Sequence, residues 1–217
     1  MDNNKEELKK LESKYNQYMK IIKTVLLIIL FVSIVLFCRF TYLCYLHYNI
    51  VYHANSGAIK DNCKITSSTY LPETPDSVTS TTYYIKNGLY SMNFSDTFIL
   101  FHVDDKVYTV NPLEKTYSVG SYEVEFLENY NFAKKFAIII TLAYNGFTDT
   151  IRYETLENTK YITISSGNSK AWYNADTFLL EKRQGPSTVE EYLYEFDVVT
   201  DTDIKLPDLN EYKLKED

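Results

Sequence analysis

The side chains able to do chemistry are few and scattered. Three histidines (His47, His53 and His102), three cysteines (Cys38, Cys44 and Cys63) and 29 carboxylates are the groups most often used for acid–base, thiol and metal-binding chemistry near neutral pH. Catalysis needs such groups to converge, and the spacings that make them converge are missing: there is no HExxH, CxxC, GxSxG or glycine-rich phosphate loop. Asp104-Asp105 and Glu190-Glu191 are adjacent carboxylates. Neighbours on a strand point to opposite faces and turn residues point to water, so neither pair forms an acid–base dyad. Asp201 and Asp203 share the first spacing of a calcium loop, but Lys205 takes the next ligand position and no glycine follows. His47 and His53 stand among tyrosines and read as packing residues. His102 alternates with Phe98 and Leu100 and reads as a satisfied structural histidine. The sequon Asn93-Phe94-Ser95 matters only in a glycosylating pathway. These residues predict a protein that is not an enzyme and holds no cofactor or metal.

The elements that carry these residues differ sharply in charge. Residues 1–23 hold six Lys and four acids, residues 24–59 hold only Arg39, and residues 60–217 hold 15 basic against 25 acidic residues. An outer domain so acidic lacks the basic footprint of a nucleic-acid binder. The chain has 21 Tyr and 12 Phe against six Gly, a composition that suits pleated, half-buried sheet.

Thr24 to Cys38 reads TVLLIILFVSIVLFC without a charge, and extending it to Ile21 and Tyr42 gives 22 residues. About 20 residues at 1.5 Å rise cross a hydrocarbon core of about 30 Å. Lys23 and Arg39 flank the run, and Tyr42, Tyr45, Tyr48 and Tyr52 supply an aromatic belt beyond it. Six Lys precede the span, whereas only Arg39 and Lys60 follow it closely, so the N-terminus is expected inside. An uncleaved anchor is expected, because the small-residue site at Ala54 and Ser56 lies far beyond the apolar run. Bulky Phe37 before Cys38 argues against lipid attachment there. Cys63 is left alone in the outer domain, which rules out an intrachain disulfide framework. Leu8, Leu11, Tyr15, Tyr18, Ile22 and Val25 follow the 3–4 spacing of a seam that could pair two copies into a homodimer, or form an amphipathic helix on the inner leaflet.

Beyond Asp61 the sequence becomes short strands broken by turns: 79–86, Asn87-Gly88, 89–94, 96–103, 106–110, then 150–157, 160–166, 171–174, 178–184 and 190–199. Asn-Gly between β-formers is a hairpin signal, since a type I′ turn needs positive φ at both central positions. In the last strand Tyr192, Tyr194, Phe196 and Val198 share one face. Residues 127–144 break the rhythm, placing Phe132, Phe136, Ile139, Ile140 and Ala143 at helical spacing. That segment is expected to pack on the open face of an antiparallel meander, with a buried strand as the rival assignment.

ILFHVDDKVYTVNPLEKTY at 99–117 resembles the strand–turn–strand of the LolA-like superfamily of lipoprotein-carrier and lipoprotein-sorting domains. AWYNADTFLLEKRQ at 171–184 is similar to that family's Trp-containing strand, acidic turn and Leu-rich strand, and DIKLPDLNEY at 203–212 to its closing segment. The resemblance covers about residues 61–212. It implies a curved antiparallel sheet, an incomplete β-barrel, covered by one or more helices around a cavity for acyl chains. Two departures stand out. Family carriers have a Lys-Arg-Pro stretch where this chain has Lys86-Asn87-Gly88, and a carrier shuttles between membranes whereas this chain is tethered to one.

The expected organisation is therefore a cytoplasmic amphipathic segment at 1–20, a transmembrane helix at 21–43, a stalk at 44–60 and an extracytoplasmic mainly-β domain at 61–217. The expected role is a membrane-tethered, non-catalytic module for an acyl chain, lipoprotein or other hydrophobic ligand. The alternative is a sensory protein whose β domain contacts a protein partner. The expected ligand lining is Met92, Phe94, Phe136, Ile140, Tyr194 and Phe196, on the faces that turn toward the helix.

Overall fold

A computed structural model describes residues 2–54, 57–94, 97–103, 106–120 and 132–215, with side chains described from Leu11 onward except at 13, 57, 58, 132 and 133. The side chain of Leu8, Ser56, Ser95, Asp96, the Asp104-Asp105 turn and the expected helix start at 127–131 lie outside the described residues.

One helix, α1 (Asp2–Ala54), carries the apolar run and is long and apolar enough to cross a membrane. At 1.5 Å per residue its 53 residues extend about 80 Å. Its hydroxyls are turned inward onto the helix. Thr24 Oγ1 donates to Lys20 O at 3.0 Å, Ser33 Oγ to Ile29 O at 2.8 Å, and Thr41 Oγ1 to Phe37 O at 2.9 Å. Such back-bonding satisfies these hydroxyls within the helix itself. From Ile21 to Arg39 the helix is exposed on every side. From Phe40 the pattern changes: Phe40, Leu43, Leu46, His47 and Ile50 are buried or half-buried while Tyr42, Tyr45 and Tyr48 stay exposed. The helix thus runs unbroken through most of the expected stalk, with one face laid against the rest of the chain.

The described strands form one 12-stranded sheet in the order β12-β6-β5-β4-β3-β2-β1-β11-β10-β9-β8-β7. The first half runs β1 (Asn62–Leu71), β2 (Thr74–Lys86), β3 (Leu89–Phe94), β4 (Phe98–Val103), β5 (Lys106–Asn111) and β6 (Thr116–Gly120). The second runs β7 (Thr150–Leu156), β8 (Thr159–Ser166), β9 (Ser169–Asn174), β10 (Leu180–Gln184) and β11 (Val189–Phe196). Each half is a meander of consecutive antiparallel neighbours, and the two are joined where β1 pairs with β11. The last strand, β12 (Lys213–Leu214), adds to β6 in parallel, the one departure from the expected antiparallel pattern.

Turn chemistry explains the breaks. Asn87 and Gly88 both have positive φ, 51° and 78°, as a type I′ hairpin requires. Asn111 Oδ1 accepts the backbone N–H groups of Leu113 and Glu114 at 3.0 and 2.9 Å and so turns the chain after β5. The alternator at 190–199 ends early. Asp197 adopts φ 60° and its N–H bonds Asn62 O at 3.1 Å, so Val198 leaves the strand and does not share the face of Tyr192, Tyr194 and Phe196.

The helix α3 (Phe132–Asn145) lies in the connection between β6 and β7. Helical spacing prevails over the strand alternative, and the helix packs along α1. Where the two helices pack, Leu43 and Leu46 of α1 are 1% exposed, and Ile139 and Ala143 are the buried positions of α3. A single turn of 3-10 helix, Gly146–Thr148, follows. A Cβ on Gly146 would stand 3.1 Å from His47 Nε2, so the close approach of α1 requires glycine there. The short α2 (Gly57–Asp61) leads into β1, and α4 (Asp201–Ile204) straps the end of the chain across β2 and β3. Ser91 Oγ donates to Asp203 O at 2.6 Å and Lys86 pairs with Asp201 at 2.7 Å. Asp203 Oδ2 also accepts the Thr200 N–H at 2.7 Å and so caps α4.

Candidate functional site

Directly opposed residues of antiparallel strands share a face, and so do residues two apart along one strand. Three cross-strand ladders follow from the observed register. One runs Tyr194, Ile65, Tyr83, Met92, Leu100; the next Phe196, Cys63, Ile85, Tyr90, His102; the third Tyr192, Ser67, Thr81, Phe94, Phe98. Together they form one continuous face rich in aromatic and aliphatic side chains. Phe94 and Phe98 stack at 5.1 Å and Tyr90 and His102 at 5.2 Å.

The register brings Met92, Phe94, Tyr194 and Phe196 onto this face together. Phe136 and Ile140 stand on α3, which packs along α1, and Phe136 is 54% exposed. The middle of the face is covered: Ile59 of α2 and Leu179 pack on the fully buried Cys63, with Ile65, Ile85 and Tyr194 half-buried around them. Its margins are open. Phe94 is 37% exposed and Phe196 is 41% exposed.

Polar groups on this face are mostly spoken for. Tyr194 OH donates to Leu180 O at 3.0 Å, and burial pushes its phenol well above the usual range. Tyr192 OH donates to Glu190 at 2.6 Å; burial first, then that carboxylate, pushes its phenol up to about 12. Burial also pushes the Cys63 thiol up to about 11. His102 departs from the expected satisfied histidine, since its Nδ1 is buried with no hydrogen-bond partner among the described residues. Among the described residues, Tyr192 and Glu190 are a hydrogen-bonded pair of titratable side chains on this face. The face can desolvate methylenes, at about 0.8 kcal/mol each.

The opposite face is polar over β1 and β9 to β11, whereas toward β4 and β5 it buries Phe101 and Val110. Lys64 pairs with Glu195 and Lys182 with Glu191 at 2.7 Å, and Lys170 with Glu154 at 2.8 Å. A groove of about 620 Å³ lies there, lined in part by Tyr161, Trp172, Glu181 and Lys182, residues that sequence reasoning did not single out as a site. Several of its polar groups satisfy one another: Tyr161 OH and Asn174 Nδ2 both donate to Glu181, and Lys182 and Tyr70 OH to Glu191. Trp172 Nε1 is an exception, a buried donor with no hydrogen-bond partner among the described residues.

No family model matches the sequence, and no curated protein does. Among solved structures, the chain is similar to an uncharacterized conserved protein from Thermus thermophilus, with 7% identity over 73% of this chain and 91% of that one, at a TM-score of 0.46. It is also similar to a chain of the MucA/MucB complex of Pseudomonas aeruginosa, with 8% identity over 79% of this chain and 62% of that one, at 0.44. A LolA superfamily protein from Nitrosomonas europaea shares 10% identity over 72% of this chain and 96% of its own, at 0.33. The last belongs to the superfamily that the sequence motifs resemble.

Beside this face, α1 meets the 3-10 turn. Arg39 Nε and Nη2 donate to Phe147 O at 2.9 and 2.8 Å, and Nη2 also to Asp149 O at 2.7 Å. The guanidinium lies 5.5 Å from the centre of the Phe147 ring. One turn further along α1, the hydroxyls of Tyr42 and Tyr153 meet at 3.1 Å. Higher still, His53 stacks on Phe178 at 5.4 Å. Three contacts spaced along one helix fix its direction relative to the sheet.

Proposed function

We propose that this protein is a single-pass membrane protein, N-terminus in the cytoplasm, whose extracytoplasmic β domain is a non-catalytic binding module for an acyl chain. The chain would come from a membrane lipid or a lipidated protein. The observation that carries this reading is the sheet face built of the three apolar ladders, covered at its centre yet open at Phe94 and Phe196. Its position supports it: α1 turns from all-round exposure to one-sided burial at Phe40, so the domain begins where the charge-free run ends. An apolar face held that close to a bilayer meets acyl chains at high effective concentration, and burying their methylenes needs no catalytic group.

The test is photocrosslinking of the full chain in vesicles that contain a lipid with a diazirine on its acyl chain. Adducts on β3 and β11 support the reading. Met92→Asp should abolish them while adducts within the span persist. Adducts confined to the span in the unaltered chain would contradict it.

A second reading, a sensory or interaction protein, is favoured by one observation: α1 is continuous from its first turns to its docking on the domain. Displacement of the β domain would then be passed to the inner segment. Leu11→Cys reports on it, since disulfide-linked dimers that respond to domain ligands would favour relay over simple capture.

A further inference from the structure

We infer that the outer domain is seated directly on the outer leaflet through an aromatic footprint of Tyr42, Phe147 and Tyr153, with lipid headgroups and the adjoining acyl region as its partner. This rests on the proposal that α1 spans the bilayer.

Arg39 is the first charge after the apolar run that begins beyond Lys23. The two lie 16 positions apart, about 24 Å along a helix, so with both stems reaching outward they bracket a hydrocarbon core of about 30 Å. Arg39 therefore marks the outer boundary. An arginine at that level ordinarily reaches for phosphate. Here its guanidinium is turned onto the carbonyl oxygens of Phe147 and Asp149, which brings the 3-10 turn down to the same level. Phe147, beside the guanidinium, must then stand at the boundary too.

Tyr42 lies three residues, about 4.5 Å, further along the helix and is hydroxyl-bonded to Tyr153 of β7. Tyr153 is 68% exposed although it lies on the apolar face of the sheet, and β7 is the sheet's edge strand. Aromatic rings with one apolar and one polar end favour the headgroup level. Three rings from three elements meet there, joined to the span by direct contacts rather than by a free stalk. The footprint would also place the edge strand β7 next to the membrane, where a lipid surface rather than another strand lies beside it.

The experiment uses the full chain in vesicles whose lipids carry bromine close to the headgroup or deep in the acyl chain. Trp172, the single tryptophan of the sequence, supplies the baseline. Phe147→Trp and Tyr153→Trp are each expected to lose fluorescence to the shallow quencher beyond that baseline; the exposed Tyr153 site keeps the test usable should the first variant fold poorly. Leu30→Trp is expected to lose fluorescence to the deep quencher. Deep quenching at Leu30→Trp with none at either footprint site would overturn the footprint and leave the span standing. No quenching at Leu30→Trp would overturn the span, and the footprint with it.

Discussion

The Arg39 guanidinium holds the carbonyl oxygen of Phe147 with two N–H groups, at 2.9 and 2.8 Å, across 108 positions of sequence. A planar fork can serve Phe147 and Asp149 at once; a lysine ammonium on a flexible stem lacks that preorganised geometry. Arg39→Lys should therefore loosen the 3-10 turn by about 1 kcal/mol, the ordinary net worth of such hydrogen bonds. Hydrogen exchange at Phe147 to Thr150 would read this as faster opening, with exchange in β1 and β11 unchanged. Unaltered exchange at the turn would mean that the contact contributes nothing.

Leu43 and Leu46 are almost fully buried on the docked face of α1. Leu46→Ala should cost about 2–5 kcal/mol, as for other leucines deleted from a closed core, while Leu193→Ala on the exposed polar face should stay within about 0.5 kcal/mol. Thermal unfolding of the detergent-solubilised chain separates the two. Equal effects would show that the docked face of α1 adds no stability.

How far all this could be read from the sequence depended on whether the signal was local. The Asn87-Gly88 hairpin was legible because only positive φ fits the turn and the residues announce it. The shared face of Tyr192, Tyr194 and Phe196 followed from alternation, but Val198 did not, since nothing in its alternation reveals that Asp197 bends back to Asn62. Helical spacing gave α3 its existence and the buried pair Ile139 and Ala143, yet an apolar stripe does not say what it packs on. Phe136 and Ile140 were consequently expected opposite Met92. The same gap hid the course of α1: Phe40, Leu43, Leu46 and Ile50 already follow helical spacing, but the exposed tyrosines between them drew the segment toward a stalk. The role of Arg39 depended on Phe147, a partner too remote for any local pattern.

Stability should respond to acid in two stages. Burial holds the His47 imidazole below its ordinary value, with the Asp149 carboxylate partly opposing it. The folded state therefore resists protonation there. The associated stability is complete above the unfolded value of about 6.5 and is lost as pH falls through the folded one. The hydrogen bond from Lys182 and then that from Tyr70 hold the Glu191 carboxyl low against burial, so its contribution is present above about 4.3 and lost as pH falls further. Denaturation series across both windows should lose the upper slope in His47→Gln and part of the lower slope in Glu191→Gln. Superimposable curves for either variant and the parent would contradict the corresponding assignment.

Cys63 offers a probe of the covered centre. Its thiol is fully buried and pushed up to about 11, so the reactive thiolate is scarce as well as shielded. With Cys38 and Cys44 replaced by serine, maleimide should label Cys63 only as fast as the domain opens. Ile59→Ala, which thins its cover, should speed labelling. Rapid labelling of the parent would mean that the centre of the face is open.

The most direct measurement is native mass spectrometry of the full chain extracted in mild detergent, beside its Phe196→Asp and Met92→Asp variants. Lipid bound around the span is common to all three and cancels in the comparison. The parent should retain at least one more acyl-bearing molecule than either variant, with all three chains equally inserted in the membrane. The same lipid complement on all three would mean that this face of the sheet holds no acyl chain.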